Sequence, residues 1–305
     1  MKISIILPTF NRSKILKNTI QNIQNQTFQH YELIIINDAS TDATNNIVQK
    51  FQHIDSRIKL INNIKNLGCA KSREIGLEHS TNELIVFIDD DDEWDKQKLM
   101  QQYNAIIKND SDIVISDYYI LKNKNKIYKK MNLIAQNFKY QILKRPGLFF
   151  QCVMMKKKIL QSMKSPFDSN AIPSEDWNFF IELSKLNLNI FYINEPLFTW
   201  KIHNNNQSLN LTKEARALEY IITKHYDYIK SAHNTKMIAN HYRRIARIYE
   251  KINNFKEVKR FYIQAFQTYP MSWKNIFYYI AAIMGYQYSH FLIKIIRKIR
   301  GVPND

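Results

Sequence analysis

Five short apolar runs, rich in β-branched residues, mark the first 116 residues: ISIILP (3–8), ELIIIN (32–37), RIKLIN (57–62), ELIVFID (83–89) and SDIVIS (111–116). Each has the length of a strand. Between them, over roughly 13–26, 42–52, 69–80 and 95–108, apolar residues recur at helical spacing. Strand thus alternates with helix, and strands this continuously apolar are buried on both faces. The pattern predicts an α/β fold, a doubly wound and mostly parallel sheet, whose ligands bind at the carboxyl ends of the strands.

Beyond residue 116 the rhythm changes. A hairpin is expected over 118–130 and a strand over GLFFQCVMM (147–155), followed by a short helix. A further helix is expected after Ser174, with Glu175 and Asp176 in its first turn and Phe179, Phe180, Leu183 and Leu186 as its buried stripe. From residue 212 the chain reads as helices, and 246–270 resembles one helix-turn-helix unit of the tetratricopeptide kind. A single unit makes no solenoid, so a C-terminal helical appendage is predicted. The expected organisation is a domain of 1–211 in two halves (1–116 and 117–211), followed by a basic helical region (212–305).

Charge sharpens this division. The formal net charge is +17, and residues 212–305 carry 17 Lys/Arg against 6 Asp/Glu. Residues 275–293 contain no charged side chain, but Gln287, Ser289 and His290 interrupt them, which predicts an interfacial or buried helix. In 291–300, Phe291, Leu292, Ile295, Ile296 and Ile299 share one arc of a helical wheel, and Lys294, Arg297, Lys298 and Arg300 fill the other. That segregation suits an anionic membrane surface, or else a helix packed on the protein with a solvated basic side. No zinc-ligand spacing or nucleic-acid signature is present, so no nucleic-acid partner is expected. Two cysteines make no disulfide framework, and Met1-Lys2 leads at once into the first strand. A cytoplasmic protein is expected, seated peripherally on the inner face of the cytoplasmic membrane.

The candidate chemistry lies at the strand ends. PTFNR (8–12) follows the first strand, NDASTD (37–42) the second and DDDDEW (89–94) the fourth; NLGCAKSREIG (66–76) opens the third helix, and PSEDWNFF (173–180) comes later. Together these five blocks resemble, in order, the motifs of family 2 inverting glycosyltransferases, whose nucleotide-sugar domain has the GT-A fold. The resemblance covers about residues 1–205. Asn37 stands where the family has its first aspartate, Ala39 where it has glycine, and Ser72 and Glu74 flank Arg73 in place of Ala and Asn.

The resemblance implies transfer of a hexose from a UDP-sugar donor to a hydroxyl of a growing, lipid-linked glycan acceptor. It implies Asp176 as general base beside Glu175, and nucleoside contacts from Pro8, Thr9, Asn11, Asp38 and Asp90 with Asp89 in support. It further implies Arg73 on phosphate oxygens and Asp91, with His203, at a divalent cation, Mn²⁺ or Mg²⁺. The chemistry is coherent, because a departing diphosphate needs its charge offset and a hard cation takes carboxylate oxygens. Each residue also has a plainer reading: a solvated acidic loop for 89–92, helix capping for Asp38 and Asp42, dipole complementation for Glu175 and Asp176, a surface helix arginine for Arg73, and a structural role for His203. Trp177 could stack on a sugar or belong to the core. The alternative function is a non-catalytic nucleotide-sugar-binding scaffold protein of a glycan assembly complex.

Overall fold

The structure, a computed structural model, describes residues 1–133, 136–202, 210–233 and 235–284. The expectations for His203 and for 291–300 lie outside the described residues. The chain divides into two units, one of residues 1–142, 146–169 and 175–206, the other of 143–145, 170–174 and 207–305.

The alternation read from the sequence is present in the first unit. It runs β1 (Ile3–Thr9), α1 (Leu16–Gln24), β2 (Tyr31–Asn37), α2 (Thr44–Ile54), β3 (Ile58–Asn62), α3 (Cys69–His79) and β4 (Leu84–Phe87). There follow β5 (Glu93–Trp94), α4 (Lys98–Asn109), β6 (Ile113–Lys122), β7 (Asn125–Lys129), α5 (Phe138–Lys144), β8 (Val153–Lys156), α6 (Lys157–Ser162), α7 (Glu175–Leu183) and β9 (Ile190–Lys201). The sheet order is β3-β2-β1-β4-β8-β6-β9-β5, with β7 paired to β6. Strands β1 to β4 are parallel, β8 enters antiparallel between β4 and β6, and β9 runs parallel to β6. Because β2 and β4 flank β1 on opposite sides, the winding reverses there, and a crevice opens at the carboxyl ends of β1 and β4.

One expected element is shorter than its apolar pattern suggested. Within 147–155 only Val153–Lys156 is strand, and Phe150–Cys152 forms a 3₁₀ turn. The Phe150 N–H donates to Asp176 (3.2 Å) and the Gln151 amide to Asp89 (2.5 Å), so these residues bond side chains of the crevice instead of a neighbouring strand.

The core follows from the strand composition: Ile3, Ile5, Ile6 and Leu7 of β1 and Leu33 to Ile36 of β2 are fully buried. Helix α3 lies close on β1 because Gly76 has no side chain; a Cβ there would fall 2.4 Å from Ile6 Cγ2.

The second unit contains α8 (Leu211–Lys224), α9 (Tyr226–His233), α10 (Thr235–Lys251), α11 (Phe255–Thr268) and α12 (Trp273–Ile283). Asparagines start two of them: Asn210 accepts from the Lys213 N–H at 3.0 Å and Asn254 from the Glu257 N–H at 3.4 Å. Arg260 of α11 donates a fork to Glu219 of α8 at 2.7 and 3.0 Å. Among the described residues no helix is long and apolar enough to cross a membrane.

Two backbone positions give opposite expectations for small substitutions. Gly76→Ala should destabilise by about 1–3 kcal/mol through overpacking, although helix propensity alone favours Ala by about 1 kcal/mol. Ala39 has φ 60, a left-handed conformation that costs an L-residue about 1–2 kcal/mol. Ala39→Gly should therefore stabilise despite the added freedom of the unfolded chain. Urea midpoints at unchanged m-value read both; a stabilised Gly76→Ala would mean that α3 does not sit this close to β1.

Candidate active site

Loops after β1, β2 and β4 and the start of α3 converge at the crevice. Asn11, in a left-handed conformation (φ 54), donates its N–H to Ser40 Oγ (2.9 Å) and accepts from the Thr41 N–H (2.8 Å), which ties the first loop to the second. Asp42 accepts from the N–H groups of Thr44 (2.9 Å) and Ser13 (3.0 Å). Burial pushes its carboxyl up, but these bonds prevail and hold it at about 2. Asp38 is buried, and both its oxygens are taken up by the chain: Oδ1 accepts from Asn63 Nδ2 (2.7 Å) and the Leu67 N–H (2.9 Å), and Oδ2 from the Gly68 N–H (2.8 Å). Its carboxylate thereby fixes the loop leading into α3, with Gly68 at φ 83 supplying the turn that side chains disfavour.

The four aspartates at the end of β4 have four different environments. Asp89 accepts from Arg73 (2.8 Å) and Gln151 (2.5 Å). Asp90 is buried and accepts from the Thr9 hydroxyl at 2.7 Å, a bond that spans the ends of β1 and β4. The Arg12 guanidinium lies 3.3 Å from Asp90 and 3.7 Å from Asp91. Asp92 is buried, accepting from the Lys201 N–H at 3.4 Å. Burial pushes Asp90 up to about 7 against Thr9 and Arg12, with Asp91 and Asp89 adding to the push. Asp92 stands well above the usual carboxylate range for the same reasons, burial first and then Asp89 and Asp91.

Arg73 projects from α3 into the protein and is almost wholly buried. One arm donates to Asp89 (2.8 Å) and the other to Glu175 (3.0 Å), and the guanidinium lies 4.7 Å over the ring of Phe150. Burial works against its charge, yet Asp89, with Glu175 and Asp176, raises it well above the ordinary arginine value. The Cys69 thiol also donates to Glu175, at 3.2 Å. Asp176 follows Glu175 in the first turn of α7 and is part-buried, with the Phe150 N–H on one oxygen. Burial, then Glu175, holds its carboxyl well above the usual range while Arg73 opposes them.

The structure therefore brings Asp89, Arg73, Glu175 and Asp176 into one cluster, and Thr9, Asp90 and Asp91 into a second around Arg12. Asp89 and Asp90 adjoin in the chain and join the two. Pro8 is buried within β1. Trp177 is a core residue, its indole N–H donating to the Ile142 carbonyl at 2.7 Å. Arg12 and Gln151 were not singled out in the sequence. Arg12 closes the PTFNR block and could have been found there; Gln151 sits in an apolar run that hides its role. Part-exposed Phe149 and Trp200 have ring centroids 5.1 Å apart; Phe149 precedes the residue that bonds Asp176, and Trp200 the residue that bonds Asp92.

The family model described as Glycosyl transferase family 2 matches residues 4–162. The glucosyltransferase WfgD of Escherichia coli, named for transfer from UDP-Glc to alpha-D-GlcNAc-diphosphoundecaprenol, is 32% identical over 193 residues, 63% of this chain and 73% of its own. Among solved structures, Staphylococcus aureus TarS in complex with UDP-GlcNAc superposes with a TM-score of 0.65 at 16% identity, over 94% of this chain and 92% of that one. The mannosyltransferase PcManGT of Pyrobaculum calidifontis, in complex with GDP-Man and Mn²⁺, gives 0.58 at 14% identity, over 98% and 80%. The fold is of the GT-A type. With more than half its length under the family model and its five sequence blocks gathered at one crevice, the chain belongs to glycosyl transferase family 2.

Proposed function

We propose that this glycosyltransferase moves a hexose from a UDP-sugar to a hydroxyl of a growing, lipid-linked glycan, with inversion at the anomeric carbon. The observation that carries this reading is the Asp89–Arg73–Glu175 bridge, which ties the acidic donor loop to the carboxylate pair at the start of α7. A donor-side acid cluster and an acceptor-side base are thereby held next to each other. UDP as the nucleotide and a lipid-linked acceptor are supported by what TarS binds and by what WfgD is named for.

In this mechanism Asp176 takes the proton of the acceptor hydroxyl as its oxygen bonds to the anomeric carbon. The bond from that carbon to the diphosphate breaks on the opposite face, and UDP leaves. A neutral hydroxyl is a weak nucleophile, so a carboxylate whose affinity for protons is raised by burial is well matched to the task. Glu175 accepts from Arg73 and Cys69 and orients the pair. Arg73, engaged by two carboxylates, is assigned as a positioning residue. Asp38 and Asn11 shape the nucleoside wall by holding their loops, and Pro8, Thr9 and Asp90 line the crevice. Phe149 and Trp200 offer an apolar surface on the acceptor side.

The donor loop suits a divalent cation. Its ligands are hard oxygens, drawn from adjoining aspartates at one strand end. Among the described residues no group of three His, Cys, Asp or Glu is arranged to hold a metal by itself. That accords with the usual manner of Mg²⁺, one or two carboxylates plus substrate phosphates. Asp91, supported by Asp89, would hold the ion, and Mn²⁺ in PcManGT supports the choice. When bound, it supplies charge neutralisation at the leaving diphosphate.

Two outcomes are expected. Asp91→Asn should abolish the metal-dependent part of the thermal shift given by UDP while leaving the unliganded melting temperature near the parent's; equal shifts with Mn²⁺ in both proteins would remove the metal assignment. Asp176→Asn should lower acceptor-dependent transfer by about 10²–10⁴-fold at nearly unchanged UDP dissociation constant. Because the base works deprotonated, parental transfer should rise with pH through a value above the ordinary carboxylate range. That limb should be missing from whatever activity the variant retains, and near-parental transfer by Asp176→Asn would exclude the assigned base.

A further inference from the structure

Helix α12 is apolar on two faces and buries only one of them. On the inner face Asn275 donates to the carbonyls of Ala265 (3.1 Å) and Tyr269 (2.6 Å), and Tyr278 stacks on Tyr262 with ring centroids 4.6 Å apart. Tyr279 stacks on Phe266 at 4.2 Å, and Ala281 is buried. These contacts fix how α12 lies on α11. On the outer face Ile276, Ile280 and Ile283 are 42, 49 and 53% exposed, and Met284 follows at 60%. At the helical pitch the three isoleucines fall within an arc of about 60°, so they form a continuous stripe. Trp273, half-exposed, lies at its start with the Lys274 ammonium 5.7 Å from its ring centroid.

Single exposed apolar side chains need no explanation, but an aligned row of β-branched residues does. Surface helices ordinarily turn polar residues outward, and a helix apolar all round is ordinarily covered. The charge of the chain segment that carries this stripe selects among possible covers. From Val258 to Asn304 the chain has seven Lys or Arg and no Asp or Glu. A second copy of the chain docking face to face would set this cationic segment against itself. An anionic lipid headgroup layer instead attracts the cations while the isoleucines enter the acyl boundary, with tryptophan at the interface where its ring is favoured.

We propose that the outer face of α12, through Ile276, Ile280 and Ile283, is a seat for an anionic membrane surface. It is an interfacial seat, since the helix has 11 residues against the roughly 20 that a crossing requires. The inference does not rest on the transfer chemistry or on the assigned base. It adds to the expectation for 291–300 a surface whose side chains are described.

The test uses the full chain and sedimentation with vesicles of equimolar phosphatidylglycerol and phosphatidylcholine, beside vesicles of phosphatidylcholine alone. Parent protein should partition onto the anionic vesicles and be released by salt. The triple variant Ile276→Gln, Ile280→Gln, Ile283→Gln should partition at least about tenfold less, with an unchanged urea midpoint because the replaced side chains face outward. Ile280→Gln alone should give a smaller loss, and the corresponding triple leucine variant should bind as the parent does, since apolarity rather than shape is required. Parental partitioning by the triple glutamine variant would overturn the proposal and leave 285–305 as the membrane element. Equal binding of the parent to both vesicle types would overturn the choice of an anionic surface. A parent dimer that becomes monomeric in the triple variant, with vesicle binding unaltered, would identify a second copy as the cover and equally overturn it.

Discussion

The buried guanidinium of Arg73 is the constraint around which the crevice is organised. A cation taken out of water is tolerable only if opposite charge and hydrogen bonds meet it, and here they come from Asp89 at the end of β4 and Glu175 at the start of α7. Losing one partner of such a pair costs about 3–5 kcal/mol, because the other charge is left buried and unmatched. The bridge therefore locks two loops from distant parts of the chain into one geometry. Phe150 completes the lock: its ring lies under the guanidinium and its N–H holds Asp176.

That lock leaves an electrostatic imbalance beside it. Arg73 and Arg12 face a larger number of carboxylates, and burial, with those neighbouring carboxylates adding to it, raises the proton affinity of Asp90, Asp92 and Asp176. A site optimised for stability alone would relieve this with further cations or apolar replacements. Keeping it suits the proton transfer and the cation-borne diphosphate proposed for the crevice. By contrast, Asp38 and Asp42, close by in the chain, spend their oxygens on backbone N–H groups and hold the loops that form the crevice wall. The same residue type serves chemistry or scaffolding according to whether its hydrogen bonds are already made within the chain.

The second unit follows a different logic. Its helices are joined by side-chain forks and aromatic stacks such as Arg260 on Glu219 and Tyr278 on Tyr262. The apolar outer row of α12 lies in a segment, 258–304, that has no acidic residue.

By itself the sequence determined the strand–helix alternation of β1 to β4, since periodicity and length suffice for strands buried on both faces. It also placed the acidic and carboxylate-pair motifs at element ends, and through five ordered blocks it pointed to the family. The glycine of the family's second block is intelligible once Ala39 is seen at a positive φ, a constraint visible only in the backbone. Tertiary structure alone decided the partners. That Arg73 is buried between Asp89 and Glu175, that Trp177 belongs to the core, that Gln151 leaves an apolar run to bond Asp89, and that the strand expected over 147–155 begins only at Val153 all depend on residues 16 to 102 positions apart. Local pattern records which face a side chain prefers. Which charge waits on the other side of the core is settled only when the sheet closes and each buried polar group must find its complement.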